Sequence, residues 1–226
     1  ISFNTIVSIA GITLGVAALI GTVGIMTGFK EDVQSKILGT TAHILVNDRM
    51  KESMVDYEDQ VKKVAAVPDV VAATPFIFRQ VLLTSPSGVQ GIILRGIDPA
   101  REGTVTELAH NLVNSNLDDL ARQNKVVIPE KEREPNGPDT AMRPGIILGK
   151  ELSMRLGAFP GDTLNVVSPV GPVTGASMTP KIRQFVVVGI FQSGMYEYDS
   201  SLAYIELGEA QKFFNMGASV TGIEVK

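Results

Sequence analysis

The sequence predicts an α+β domain joined to a membrane by one apolar helix, and three observations carry that prediction. Residues 1–29, ISFNTIVSIAGITLGVAALIGTVGIMTGF, contain no charged side chain. Beyond them, short β-rich runs bounded by Pro, Gly and Asp alternate with short amphipathic segments. The part outside the apolar run is about 190 of the 226 residues, ample for a hydrophobic core.

As a helix rising about 1.5 Å per residue, the first run extends roughly 40 Å, more than the ~30 Å of a bilayer's hydrocarbon core. Ten of the positions 6–25 are Ile, Leu or Val, and on insertion scales they sum to roughly −3 to −6 kcal/mol. A cleaved signal peptide would show a basic n-region, a shorter apolar core and a small-x-small cleavage site, none of which is visible. A buried helix of a soluble domain would be shorter and carry a polar stripe. The run therefore reads as a transmembrane span. Gly11 with Gly15, and Gly24 with Gly28, repeat the small-xxx-small spacing that lets helices approach closely in lipid. Met26, Phe29, Val33 and Ile37 recur at three- and four-residue spacing among charged and polar neighbours, so the helix continues as an amphipathic stalk to a cap at Gly39. The run opens at Ile1 without the flanking Lys or Arg that set orientation, and the chain stops on strand-like alternation; we expect a piece of a longer protein.

After the stalk, residues 43–47 (HILVN) suit a short strand and 54–67 a surface helix ended by Pro68. Residues 70–78, 81–85 and 91–97 are β-rich, with a hairpin turn at Ser85-Pro86-Ser87-Gly88 and a break at Asp98-Pro99. A polar stretch at 111–124 precedes the run PEKEREPNGPDTAMRP (129–144), whose composition predicts an exposed loop. Residues 145–149 suit a buried strand, 150–156 a helix stopped at Gly157, and 163–167 a strand entered through the turn Pro160-Gly161-Asp162. SPVGPVTGASMTP (168–180) then separates that strand from a strand at 181–191. This is longer than ordinary hairpin loops, and its prolines stiffen it, so it suits either a docking arm or a plain loop. A strand at 202–207, a helix at 209–214 and a strand at 220–226 complete the chain. The last strand is expected beside the first, giving one unit from residues 40–99 and 205–226 with 100–204 inserted as a β-rich subdomain.

Composition narrows the functional classes. With net charge −4 and a sequence pI of about 5.3, no basic surface is available to neutralise phosphates, so nucleic acid is not an expected partner. The absence of cysteine excludes disulfides and thiol chemistry. GIILGK (145–150) approximates a phosphate loop but lacks one spacer residue, and Glu151 stands where Ser or Thr would hold magnesium. His43 and His110 lie in no ligand-spaced cluster, the acid pairs Glu31-Asp32 and Asp118-Asp119 diverge on a helix, and Arg79, Arg95 and Arg183 read as ordinary surface or ion-pair residues. No catalytic, cofactor-binding or metal-binding residue is predicted.

The N-terminal run SIAGITLGVAALIGTVGIMTGFKEDVQSKILGTTAHI resembles the first transmembrane helix and stalk of the lipoprotein-releasing (Lol) ABC permeases, the LolC/LolE family within the MacB-like superfamily. LRGIDP (94–99), IILGKELSMRLG (146–157), Gly161-Asp162, VVGIFQSGMYEYDSSLAYI (187–205) and EAQKFF (209–214) are similar, in order, to that family's periplasmic domain.

The resemblance implies a MacB-like periplasmic domain with a porter-like subdomain (40–99 and 205–226) and a sabre-like subdomain (100–204) carrying a projecting hairpin at 168–180. It further implies a non-catalytic permease of the bacterial inner membrane, with residues after 39 in the periplasm. The cytoplasmic ATPase partner would bind ATP and magnesium; this chain would bind neither. Other implied partners are a second permease copy or paralogue, membrane lipid, an acylated lipoprotein substrate and a periplasmic lipoprotein carrier. Carried over by position, Thr22, Ile25, Met26 and Phe29 would face the substrate cavity. Val173, Gly175, Ala176, Met178 and Pro180, with the adjacent Arg183, would form the carrier-binding hairpin, although the family's aromatic and proline near the tip are replaced by Val173 and Gly175. The alternatives are a MacB-like exporter of macrolides or peptides, an FtsX-like regulator of cell-wall hydrolases, and a single-span sensor or scaffold.

Overall fold

A long run without charge or Pro lets the N-terminal segment propagate as one helix, α1 (Phe3–Thr40), whose stretch from Phe3 to Gln34 is long and apolar enough on average to cross a membrane. It passes through Gly39 and ends one residue later. The computed structural model describes residues 2–40, 42–48, 53–127, 140–169, 173–174, 177–178 and 180–226. The chain divides into two units, Ile1–Gly39 and Thr40–Lys226.

The second unit runs, in order, β1 (Ile44–Asn47), β2 (Met54–Val55), α2 (Tyr57–Ala65), β3 (Ala73–Ser85), β4 (Gly88–Ile97), α3 (Pro99–Val105), β5 (Leu112–Val113), α4 (Asp118–Ala121), β6 (Gln123–Val127) and β7 (Thr140–Gly149). It continues with α5 (Lys150–Leu156), β8 (Thr163–Ser168), β9 (Val173–Thr174), β10 (Ser177–Met178), β11 (Lys181–Phe191), α6 (Tyr196–Ser201), β12 (Leu202–Glu206), α7 (Leu207–Phe214), β13 (Ser219–Val220) and β14 (Gly222–Val225).

Ten of these strands form one mixed sheet. Its pairings β3–β4, β4–β12, β12–β7, β7–β11, β11–β8 and β8–β3 close on themselves, so six strands make a ring. Alternation along each strand then sends every second side chain inward. Ile77, Val81 and Leu83 of β3, Ile92 and Leu94 of β4, Ala203 and Ile205 of β12, Ile146 and Leu148 of β7, Phe185 and Val187 of β11, and Leu164 and Val166 of β8 all join one buried cluster. Leu152 and Leu156 of α5, and Ala210 and Phe213 of α7, belong to the same cluster. A second, smaller cluster on the opposite side of the sheet holds Ile97, Leu120, Ile147, Phe191 and Tyr204.

β14 lies between β1 and β3, with Ile44 opposite Val225 and Gly222 opposite Phe76, so the last strand does lie beside the first. Several boundaries differ from the sequence reading. Met54 and Val55 do not begin a helix but pair with β13, because Met54 is apolar and buried in the main cluster. Residues 73–85 form one strand rather than two: Arg79 and Gln80 keep their ladder opposite Leu94 and Ile93. Pro75 is tolerated because β4 pairs only from Phe76 onward, leaving β14 as its one neighbour and no ladder donor missing.

The expected loop at 129–144 is strand from Thr140, where β7 pairs with β6; positions 129–139 of it lie outside the described residues. Strand pairing satisfies the backbone there without demanding an apolar sequence. The polar stretch at 111–124 holds β5 and α4, and the short helices α3 and α6 were not expected. The final strand is split at Thr221, whose hydroxyl accepts from the Phe78 N–H at 3.1 Å.

Helix α5 begins at Lys150 and stops at Gly157, which takes the left-handed conformation (φ 57°). The GIILGK segment is the end of β7 running into α5, and its glycines serve packing. A Cβ at Gly149 would stand 2.2 Å from the backbone carbonyl oxygen of Asp199. That neighbour is main chain and cannot swing aside, so we expect Gly149→Ala to lower unfolding stability by about 1–3 kcal/mol or more in denaturant titration, against near-neutral Gly88→Ala.

Candidate carrier-binding hairpin and membrane-facing helix

The root of the hairpin is the β8–β11 ladder, which runs from Thr163 opposite Val186 to Ser168 opposite Lys181. Farther out, β9 and β10 pair with Val173 opposite Met178 and Thr174 opposite Ser177. The segment 168–180 is therefore not a structureless loop, since it contains its own two-stranded ladder. Of the residues expected at this site, Val173 and Met178 are brought together as cross-strand partners. Pro180 is exposed immediately before β11, and Gly175 and Ala176 lie outside the described residues.

Two cations fasten the root to α7. Arg183 forms an ion pair with Glu209, and its guanidinium carbon lies 5.6 Å from the Phe185 ring centroid. The other oxygen of Glu209 accepts from Lys212 Nζ at 2.8 Å. Lys181 Nζ donates to the Lys212 carbonyl at 3.0 Å and to Asn215 Oδ1 at 2.8 Å. Burial pushes the Glu209 carboxyl upward, but the hydrogen bond from Lys212 and the charge of Arg183 together outweigh it, and the group is held below the usual carboxylate range. Arg183 is thus a half-buried structural ion-pair residue on the root, with its charge already engaged.

On α1, Thr22, Ile25, Met26 and Phe29 follow i, i+3, i+4, i+7 spacing and share one face. Ile25, Met26 and Phe29 are exposed, and the Thr22 hydroxyl donates to the Ala18 carbonyl at 2.9 Å, so the helix itself satisfies it. The face is accordingly apolar in effect, which suits acyl chains or lipid.

A third arrangement was not anticipated from sequence. Arg95, in the middle of the apolar strand GVQGIILRGI, forms a buried ion pair with Glu224 of β14 and lies 5.7 Å from the ring centroids of both Phe76 and Tyr204. Glu102 of α3 is fully buried nearby and accepts from the Thr106 hydroxyl at 3.0 Å through Oε1. Burial pushes the Glu102 carboxyl up to about 7; Arg95 opposes this and Glu224 reinforces it. The signal available was the charged residue inside an otherwise apolar strand, which demands a partner when buried. Among the described residues, no group of three or more His, Asp or Glu could hold a metal ion.

The family model for the MacB-like periplasmic core domain matches residues 5–226. The chain is 32% identical over 225 residues to the lipoprotein-releasing system transmembrane protein LolC of Neisseria meningitidis serogroup B, and 33% identical over 226 residues to LolC of Xylella fastidiosa strain Temecula1. Each alignment takes in 100% of this chain and 49% of the relative, so the chain spans about half the length of the relatives it matches. The periplasmic region of MacB from Actinobacillus actinomycetemcomitans aligns with 80% of this chain and 72% of its own length, at 14% identity and a TM-score of 0.46.

The buried cluster has a measurable consequence. A carboxyl whose folded pKa is raised contributes stability that is full below its unfolded value, near 4.5, and is lost as pH rises through about 7. We expect the melting temperature to fall between pH 5 and pH 8 and Glu102→Gln to remove much of that fall, stabilising the domain by roughly 1–3 kcal/mol at pH 8. Parallel melting curves for the two proteins check this, and an unchanged pH slope in the variant contradicts it.

Proposed function

Since the chain belongs to the MacB-like periplasmic core domain family, we propose that it comes from the permease subunit of an ABC transporter that extracts acylated lipoproteins from the bacterial inner membrane and passes them to a periplasmic carrier. Similarity to two lipoprotein-releasing proteins across the whole chain is the observation that carries this reading, and it favours it over the exporter and hydrolase-regulator alternatives. In this reading α1 spans the inner membrane and residues after 39 lie in the periplasm. ATP and magnesium are bound by a separate cytoplasmic ATPase, and a second permease copy or paralogue completes the membrane part. The porter-like (40–99 and 205–226) and sabre-like (100–204) divisions belong to the same proposal.

The sheet supports a mechanical role. α1 ends three residues before β1, and β1 pairs with β14, which pairs in turn with β3 of the ring. Force applied near residue 44 therefore passes through backbone hydrogen bonds into the closed ring, and through β8 and β11 to the hairpin root. A closed ring of this kind moves as a body, since bending it requires breaking ladder bonds.

In the membrane, the face of Thr22, Ile25, Met26 and Phe29 forms part of the apolar wall against which acyl chains rest. In the periplasm, Val173, Gly175, Ala176, Met178 and Pro180 contact the carrier, and Arg183 acts by holding the hairpin root on α7 or by exchanging Glu209 for a carrier carboxylate.

We expect Met26→Lys to reduce lipoprotein release in reconstituted proteoliposomes at least about tenfold, because a charge on the cavity wall is poorly tolerated in an apolar environment. Met26→Leu should release normally, and normal release by both variants contradicts the cavity assignment. A photo-crosslinker placed at Met178 should capture the periplasmic carrier; capture of only a cell-wall hydrolase or an exporter's adaptor would favour the other readings.

A further inference from the structure

A cavity of about 500 Å³ opens between α5, the residues following β5 and the outer half of β11, away from the hairpin root. Its walls are Val113, Met154, Phe159, Val188 and Ile190, with Lys150 at the first turn of α5. The backbone makes this space. The register of β11 against β7 slips between Val187 and Gly189, so Val188 is an extra residue on the strand. Gly189 has no side chain where Ser115 Oγ comes within 2.4 Å of a would-be Cβ, which brings the loop after β5 against the strand.

The lining chemistry is one-sided. Met154 of α5 and Phe159, three residues beyond its end, are 50% and 51% exposed, an unusual use of large apolar groups beside a helix whose Leu152 and Leu156 already serve the core. Lys150 is the single charged residue among the described residues that line the cavity, and none of them is a carboxylate. Its ammonium donates to Gln192 Oε1 at 3.1 Å and remains exposed, so it can donate further hydrogen bonds. The volume falls within the range of cavities that bury most of a small ligand.

We propose that this cavity binds a long-chain fatty carboxylate, with the acyl chain against Met154, Phe159 and Val188 and the carboxylate on Lys150. The chemistry follows from an apolar chamber with one cation and no anion at its edge, which matches an apolar tail with a single negative head. The site is separate from the face on α1, and the proposal stands independently of the lipoprotein reading.

The test uses the full chain in nanodiscs and a palmitic acid carrying a photoactivatable diazirine, with adducts mapped by mass spectrometry. Adducts are expected on peptides covering residues 150–160 and 186–192, and unlabelled palmitate should compete them away. Met154→Trp, which fills the chamber from a half-exposed position, and Lys150→Glu, which reverses the charge, should each lower labelling there at least about tenfold, with Lys150→Arg retaining it. Melting curves matching the parent protein establish that the variants are folded. Labelling confined to α1, labelling at 150–160 that is unchanged in both Met154→Trp and Lys150→Glu, or equally effective competition by hexadecanol would each overturn the proposal. So would capture of a protein partner at the cavity that excludes the fatty acid.

Discussion

Strand β8 is six residues long and has both edges taken, by Leu82, Leu83 and Thr84 of β3 on one side and by residues 181–186 of β11 on the other. Without that double pairing the sheet would be an open, twisted ribbon with two unpaired edges in its centre. With it, six strands enclose one apolar cluster, and Leu164 and Val166 of β8 are themselves fully packed within it. The same strand is one arm of the hairpin at 168–180. The segment read as a docking arm thus grows directly from the element that closes the ring.

A second tie fixes the ring to β14, the strand that pairs with β1. Arg95 of β4 reaches across to Glu224 of β14, and both are buried. Such a pair contributes modest net stability, since desolvating two charges offsets most of their attraction, but losing one partner would leave a buried charge unmatched. Its consequence is positional: it favours one register of β14 between β1 and β3. Glu102, on α3, adds a second carboxylate to a cluster with one cation, and burial drives it toward the neutral form.

Much of this was legible wherever the signal is local. The charge-free run with its amphipathic continuation placed α1 to within a residue of its end, and Thr22, Ile25, Met26 and Phe29, named from the family resemblance, share one face of it. Gly157 stopped α5, the Ser85–Gly88 turn set the β3–β4 hairpin, and the expected pairing of first and last strands is present. Asp98-Pro99 was read only as a break, yet it is also a helix start: Asp98 Oδ1 accepts from the Ala100 N–H at 3.0 Å and Pro99 fits the first helical position. Ring closure was not legible, because pairing β8 with β3 joins segments far apart in the chain and no local pattern sets that register. The partners of Arg95 and Arg183 were hidden for the same reason, Glu224 being 129 residues from Arg95. Sequence marks a charge in an apolar strand but cannot say what neutralises it.

In the proposed function, the closed ring would carry displacement from the membrane helix to the hairpin at 168–180. The reading stands or falls on what the intact protein assembles with. Affinity purification of the full-length protein from native membranes, with mass spectrometry of everything retained, tests it most directly. The expected result is stoichiometric recovery of a cytoplasmic ATPase and a second permease copy or paralogue, together with an acylated lipoprotein that is discharged on addition of ATP and carrier. Recovery of an ATPase with a cell-wall hydrolase or an exporter's adaptor, and no acylated lipoprotein, would contradict it.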